Sequence, residues 1–176
     1  MTGAAGGGSV PVSPLGRYDD MPGDHDLHEV RLLNLPVRVL IASRERHDDL
    51  MREFALLALG GPFRRPEVPA RLVELTHVLG VRYGSAKERP DELVDAAHAR
   101  GEDTVDLTYS VPAHVVESAD TLDALMTEAD GFCRSEQLLT LARSEVMVEF
   151  ATWYLGEFRR QIAGEPARPW DGPLDP

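Results

Sequence analysis

The sequence predicts an α+β domain leaning towards α/β, and three segments carry that prediction. "VRVLIASRERHDDLMREFALLAL" (Val37 to Leu59) and "LLTLARSEVMVEFATWYLGEF" (Leu138 to Phe158) share one pattern: a short apolar run, a serine, a charged turn and an apolar stripe. Each reads as a strand passing straight into a helix. The third, Thr104 to Val111, alternates Val105, Leu107, Tyr109 and Val111 with Asp106, Thr108 and Ser110, the period of a strand with one buried face. A small three- or four-stranded sheet covered by about five helices accounts for all three.

Taken in order, Val37 to Ala42 is expected as a strand, and Ser43 as the cap of a helix whose stripe is Leu50, Phe54 and Leu57. A second helix is expected from Pro69 along Leu72, Leu75, Leu79 and Tyr83. A shorter one follows from Pro90 to Arg100, with Leu93, Val94 and Ala97 inward and Gly101 as its C-cap. After the Thr104 strand, Pro112 opens a long helix with Val115, Ala119, Leu122, Met126, Ala129 and Cys133 on one stripe. Leu138 to Ala142 is expected as a strand and Ser144 as the cap of the last helix. The strand-helix-strand unit from Thr104 to Ala142 would then be a right-handed parallel crossover. A further strand is possible over Leu27 to Asn34, where "LHEVRLLN" partly alternates.

The 176 residues suit one domain with tails, and 43% hydrophobic residues suffice for a core without staples. Residues 1–28 are rich in Gly, Pro and polar groups and are expected to be disordered. Residues 29–163 form the globular domain, and 164–176 a Pro-rich tail whose Trp170 packs back on the domain or on a partner. No run reaches the roughly 18 apolar residues of a membrane span. The first residues show neither the basic nor the apolar region of a signal peptide. With one cysteine, Cys133, expected as a small buried apolar residue, these features point to the cytoplasm. A net charge of −12 argues against nucleic acid, whose affinity comes mainly from phosphate neutralisation, and favours basic partners. One Lys (Lys87) against seventeen Arg, and a single Asn (Asn34), reflect a codon bias.

Catalytic constellations do not assemble. Gly3 and Gly6 to Gly8 precede no strand and no GK[ST], so they do not cradle phosphate. Asp24, His25, Asp26, His28 and Glu29, with His47, Asp48 and Asp49, offer metal-ligand chemistry, but most of the set lies in a tail whose ordering costs entropy; a solvated tail explains them better. Ser43 and Ser144 lack the glycines of a nucleophile elbow and read as caps. Cys133 has His114 at the far end of its helix and no closer base. Carboxylate pairs such as Glu128 with Asp130, or Asp120 with Asp123, are expected by chance among thirty acids and read as solvated faces. His77 and His98 fall beside apolar positions and are expected to be half-buried.

"ELVDAAHARGEDTVDLTYSVP" (Glu92 to Pro112) resembles the N-box helix and next strand of anti-sigma-factor kinases of the histidine-kinase-like ATPase fold. Glu92, Leu93, Val94 and Ala97 match. Ala96 stands where that family has its magnesium-binding Asn, and Asp130-Gly131-Phe132 runs into Cys133 instead of completing a D-x-G-x-G box. The resemblance therefore implies at most a degenerate nucleotide-binding domain. From Leu35 to Trp170 the chain resembles a family of small actinobacterial proteins that accompany the phosphatases, antagonists and anti-sigma kinases of partner-switching regulation. "LPVRVLIASRERHDDLMREFALLAL", "ARGEDTVDLTYSVP" and "MVEFATWYLGEFRRQIAGEPARPW" carry it. It brings no catalytic residues.

The expectation is a non-enzymatic cytoplasmic regulatory or adaptor protein. It needs no cofactor or metal and binds another protein, in line with the second resemblance a sigma-regulatory component; a homodimer is compatible. The wide apolar face of the last helix and its tail offer Trp153, Phe158 and Trp170 as partner-binding residues. A degenerate nucleotide-binding domain and an unrecognised small enzyme are the alternatives.

Overall fold

The computed structural model describes residues 27–58 and 88–176. Its sheet has two antiparallel strands, β1 (Leu27–Pro36) and β2 (Thr104–Pro112), paired from Leu27 opposite Pro112 to Pro36 opposite Thr104. Around it lie α1 (Val37–Ala58), α2 (Glu88–Ala99), α3 (Val115–Arg134) and α4 (Glu145–Ile162). The mixed α+β class is as expected. Among the described residues the arrangement is antiparallel and the order of elements differs at two places.

Val37 to Ala42 is not a strand but the first turns of α1, and the strand is the alternating Leu27 segment before it. Short apolar runs do not distinguish a strand from a buried helix. Length decides here, because no Gly or Pro interrupts the chain between Val37 and Ala58, while Pro36 lacks the amide to continue a ladder. The exposed Val37 amide of the first turn is satisfied by the Asp103 carbonyl at 3.0 Å. Ser43 is therefore inside α1 rather than capping it.

Leu138 to Ala142 is likewise no strand. Beyond α3 the chain turns through Glu136 at φ 58°, and the Gln137 amide bonds the Phe132 carbonyl at 2.9 Å. Leu138 is buried and Leu139 and Leu141 face outward, so no crossover is formed.

The other elements within the described residues fall close to where they are expected. β2 buries Leu107, Tyr109 and Val111. α2 buries Val94 and Ala97 but leaves Leu93 exposed, and Gly101, at φ 70°, ends it with its amide on the His98 carbonyl. Ser144 caps α4, its hydroxyl accepting the Met147 amide at 3.2 Å. His98 is exposed, not half-buried. The expected helix from Pro69, with His77, lies outside the described residues, as does the N-terminal tail except Leu27 and His28, which open β1.

One feature of β1 positions the C-terminal segment. The register slips between Leu32 and Leu35, and Asn34 takes φ 57°, a left-handed conformation that Asn tolerates better than most residues. Its amide donates to Asp106 Oδ1 at 2.7 Å and its side chain to the Trp170 carbonyl at 2.6 Å, while the Trp170 amide donates to the Leu33 carbonyl at 2.9 Å. The chain's single Asn thus answers a structural demand rather than codon bias alone. Gly172 is required by close approach: a Cβ there would sit 2.3 Å from the Trp170 ring.

Two apolar clusters result. The larger joins both strands, the start of α1, α2, α4 and Trp170. The smaller packs Leu50 and Phe54 of α1 against Leu125, Ala129 and Cys133 of α3, with Leu138. α1 runs through both. Among the described residues no helix is long and apolar enough to cross a membrane.

Candidate functional site

Between the two clusters, α1, α3 and α4, with Asp91 of α2 and Tyr109 of β2, line a half-open cavity of about 390 Å³. Successive turns of α1 supply Leu40, Ser43 and His47 at helical spacing, with Arg44 and Arg46 beside them. α3 contributes Leu122, Asp123 and Met126, and α4 contributes Met147, Phe150 and Leu155.

Beside this cavity lies a buried charge cluster. Asp130 is 1% exposed. Its Oδ1 accepts from Arg46 Nη2 at 2.6 Å and from the Arg143 amide at 3.0 Å, and its Oδ2 accepts from Arg143 Nε at 2.7 Å. Both guanidinium side chains are themselves more than nine-tenths buried. Arg46 Nε donates to the Leu141 carbonyl at 2.9 Å. Two guanidinium groups thus share the carboxylate of Asp130 in a desolvated place. Two polar atoms next to it, Arg46 Nη1 and Ser43 Oγ, are buried without a hydrogen-bond partner. On the other side of the cavity Arg44 pairs with Asp91 and so ties α1 to α2.

Tyr109 and Tyr154 complete the wall. The Tyr154 hydroxyl donates to the Tyr109 hydroxyl at 3.1 Å. Burial, above all, pushes both phenols up, Tyr154 furthest. A phenol that holds its proton more tightly when folded destabilises the fold once the unfolded chain ionises, near pH 10. Urea titrations should show stability independent of this pair below that pH and falling as pH rises above it. Tyr154→Phe should flatten the fall, and an unchanged slope in that variant would assign the loss elsewhere.

Of the residues expected to bind a partner, Phe158 and Trp170 belong to the larger cluster and Trp153 is half-buried against it. Trp170 meets Phe150 and Trp153 edge-on at 5.8 and 5.4 Å, and Phe158 packs on Tyr109 and Tyr154. Trp153 Nε1 donates to the Arg168 carbonyl at 3.1 Å and Trp170 Nε1 to the Pro173 carbonyl at 3.0 Å, so both indoles are satisfied within the chain. Cys133 is buried and burial pushes its thiol up, the environment of a packing residue. Among the described residues no group of three His, Cys, Asp or Glu could hold a metal ion. Asp120 pairs with Arg159 at 2.5 Å and is exposed; Asp130 is not a solvated face.

The residues that sequence reasoning missed are Arg46 and Asp130. A signal existed, since Arg46 stands four residues before Leu50 and eight before Phe54, and Asp130 four after Met126. A charged residue on an apolar stripe demands an opposite partner on a facing stripe. Comparisons of the chain with protein-family models, curated proteins and solved structures return no match.

Proposed function

We propose that this chain is a non-enzymatic regulatory protein that acts by docking on another protein through the segment between α3 and α4. One observation carries the reading. Leu139 and Leu141 are 74% and 82% exposed on a backbone that is firmly held. Glu53 of α1 accepts from the Leu139 amide at 2.6 Å, and from the Thr140 amide and hydroxyl at 2.9 Å each, while Arg46 grips the Leu141 carbonyl. Single exposed leucines are ordinary. Two within three residues, on a segment held by three backbone hydrogen bonds and one from the Thr140 hydroxyl, form a preorganised apolar anchor, and preorganisation lowers the entropic cost of binding. The net charge of −12 favours a partner whose apolar groove has a basic rim. The resemblance to companions of partner-switching regulators makes a sigma-regulatory component the first partner to test.

The test is affinity capture from the source organism at low and high salt, with the native chain and a Leu139→Asp, Leu141→Asp variant. The native chain should retain a protein that salt releases. The variant should lose it by more than tenfold while keeping its circular dichroism and urea midpoint. Equal capture by both chains would remove this segment from the interface. A native dimer that the variant turns monomeric would assign the anchor to self-association instead.

A further inference from the structure

We propose that the cavity between α1, α3 and α4 binds a small organic acid, a molecule with one carboxylate head and an apolar body. The inference is independent of the docking segment. Its head group is defined by the Arg46–Asp130–Arg143 cluster. Two guanidinium groups, both more than nine-tenths buried, converge on the one carboxylate of Asp130, and a buried donor left without a partner is costly. Of the Arg46 donors, Nε serves Leu141 and Nη2 serves Asp130, while Nη1 has no partner. Ser43 Oγ, one turn earlier on α1 and facing the same cavity, has none either. A single carboxylate accepts from both, one oxygen on Nη1 and the other on the hydroxyl.

The body is defined by the rest of the wall. Leu40, Leu122, Met126, Met147, Phe150 and Leu155 are apolar, and two methionines make a lining that adapts to ligand shape. About 390 Å³ lies within the usual range for small-molecule sites, roughly 300–1,000 Å³. The remaining charged groups do not compete for the head: Arg44 is held by Asp91, and Asp48 and Asp123 stand where solvent reaches them. Their negative charge, and that of Asp130, disfavours a phosphate dianion relative to a monoanion.

The experiment uses the full chain, with octanoate and phenylacetate as probes and octanamide, inorganic phosphate and magnesium ATP as controls, read by thermal shift and calorimetry. Both carboxylates should raise the melting temperature saturably and octanamide should not. Ser43→Ala should weaken octanoate at least threefold. Ala151→Phe, which fills the cavity from α4, should abolish the shift in a chain whose circular dichroism is native. Equal response to octanoate and octanamide would overturn the charged head, and a response to phosphate alone would overturn the apolar body. A response to ATP alone would assign the cavity to a nucleotide, and no response to millimolar carboxylate would overturn the site altogether.

Discussion

Asp130→Ala is expected to cost about 3–5 kcal/mol of stability, the range for breaking a buried ion pair from one side. The reason is the state left behind. Arg46 and Arg143 remain more than nine-tenths buried, face each other without a counter-ion, and lose three of their hydrogen-bonding partnerships at once. Asp130→Asn keeps the shape and one acceptor oxygen but not the charge, and turns its NH2 donor towards a guanidinium; it should fall between the native chain and the alanine variant. The check is a urea midpoint at constant slope, with Asp120→Ala as reference. Asp120 makes an exposed pair with Arg159, whose loss should cost no more than about 1 kcal/mol. An Asp130→Ala chain as stable as the Asp120→Ala chain would mean that water enters the cluster freely. Octanoate should no longer bind with its native affinity in either Asp130 variant, since the geometry of Arg46 depends on Asp130.

Trp170→Ala is the second large effect, about 3–5 kcal/mol, the usual cost of emptying a buried aromatic site. Trp170 is 3% exposed and fills the space between Phe150, Trp153 and the bulge of β1. Its removal leaves a void between the neighbouring aromatic rings and loses the indole bond to the Pro173 carbonyl, while the main-chain bonds to Leu33 and Asn34 can persist. Denaturation followed by fluorescence of the remaining Trp153 should show the shifted midpoint. A loss below about 1 kcal/mol would show that the segment 163–176 docks without contributing to the core. Such a stability loss also separates a packing role from a docking role, because a surface anchor would lose affinity and leave the midpoint unchanged.

How much of this was legible in the sequence depends on where propensity and periodicity agree. β2 alternates cleanly because one face packs on helices and the other meets water, and it is found where expected. α3, α4 and the Ser144 cap follow from the same local physics. Val37 to Ala42 misled because β-branched residues at the buried start of a helix look like a core strand. Leu138 to Ala142 misled because its leucines alternate by sequence but divide between core and solvent through a turn at Glu136, with no neighbouring strand to pair. The cavity is assembled from five elements spread along the sequence, and no window contains Arg46 with Asp130. What a window does contain is each charge on its own apolar stripe, which is the trace a buried pair leaves before the fold is known. Trp170 was legible as a packing residue, whereas its seat against Asn34 was not, because that seat depends on a bulge set by the register of strands far apart in the chain.

The pairing of β1 with β2 bears on the speed of folding. Its partners stand roughly seventy to eighty-five positions apart, and β1 also receives Gln161 and Trp170 from the opposite end of the chain. No local hairpin can nucleate this sheet, so loop-closure entropy is lost before any ladder bond forms. Among the described residues, the α3–α4 hairpin, with its short connection and its ion cluster, and the α2–β2 pair are closed by near neighbours. Refolding should therefore be slow for a chain of this length, with helical signal from the C-terminal half preceding protection of the β1 amides in pulsed hydrogen exchange.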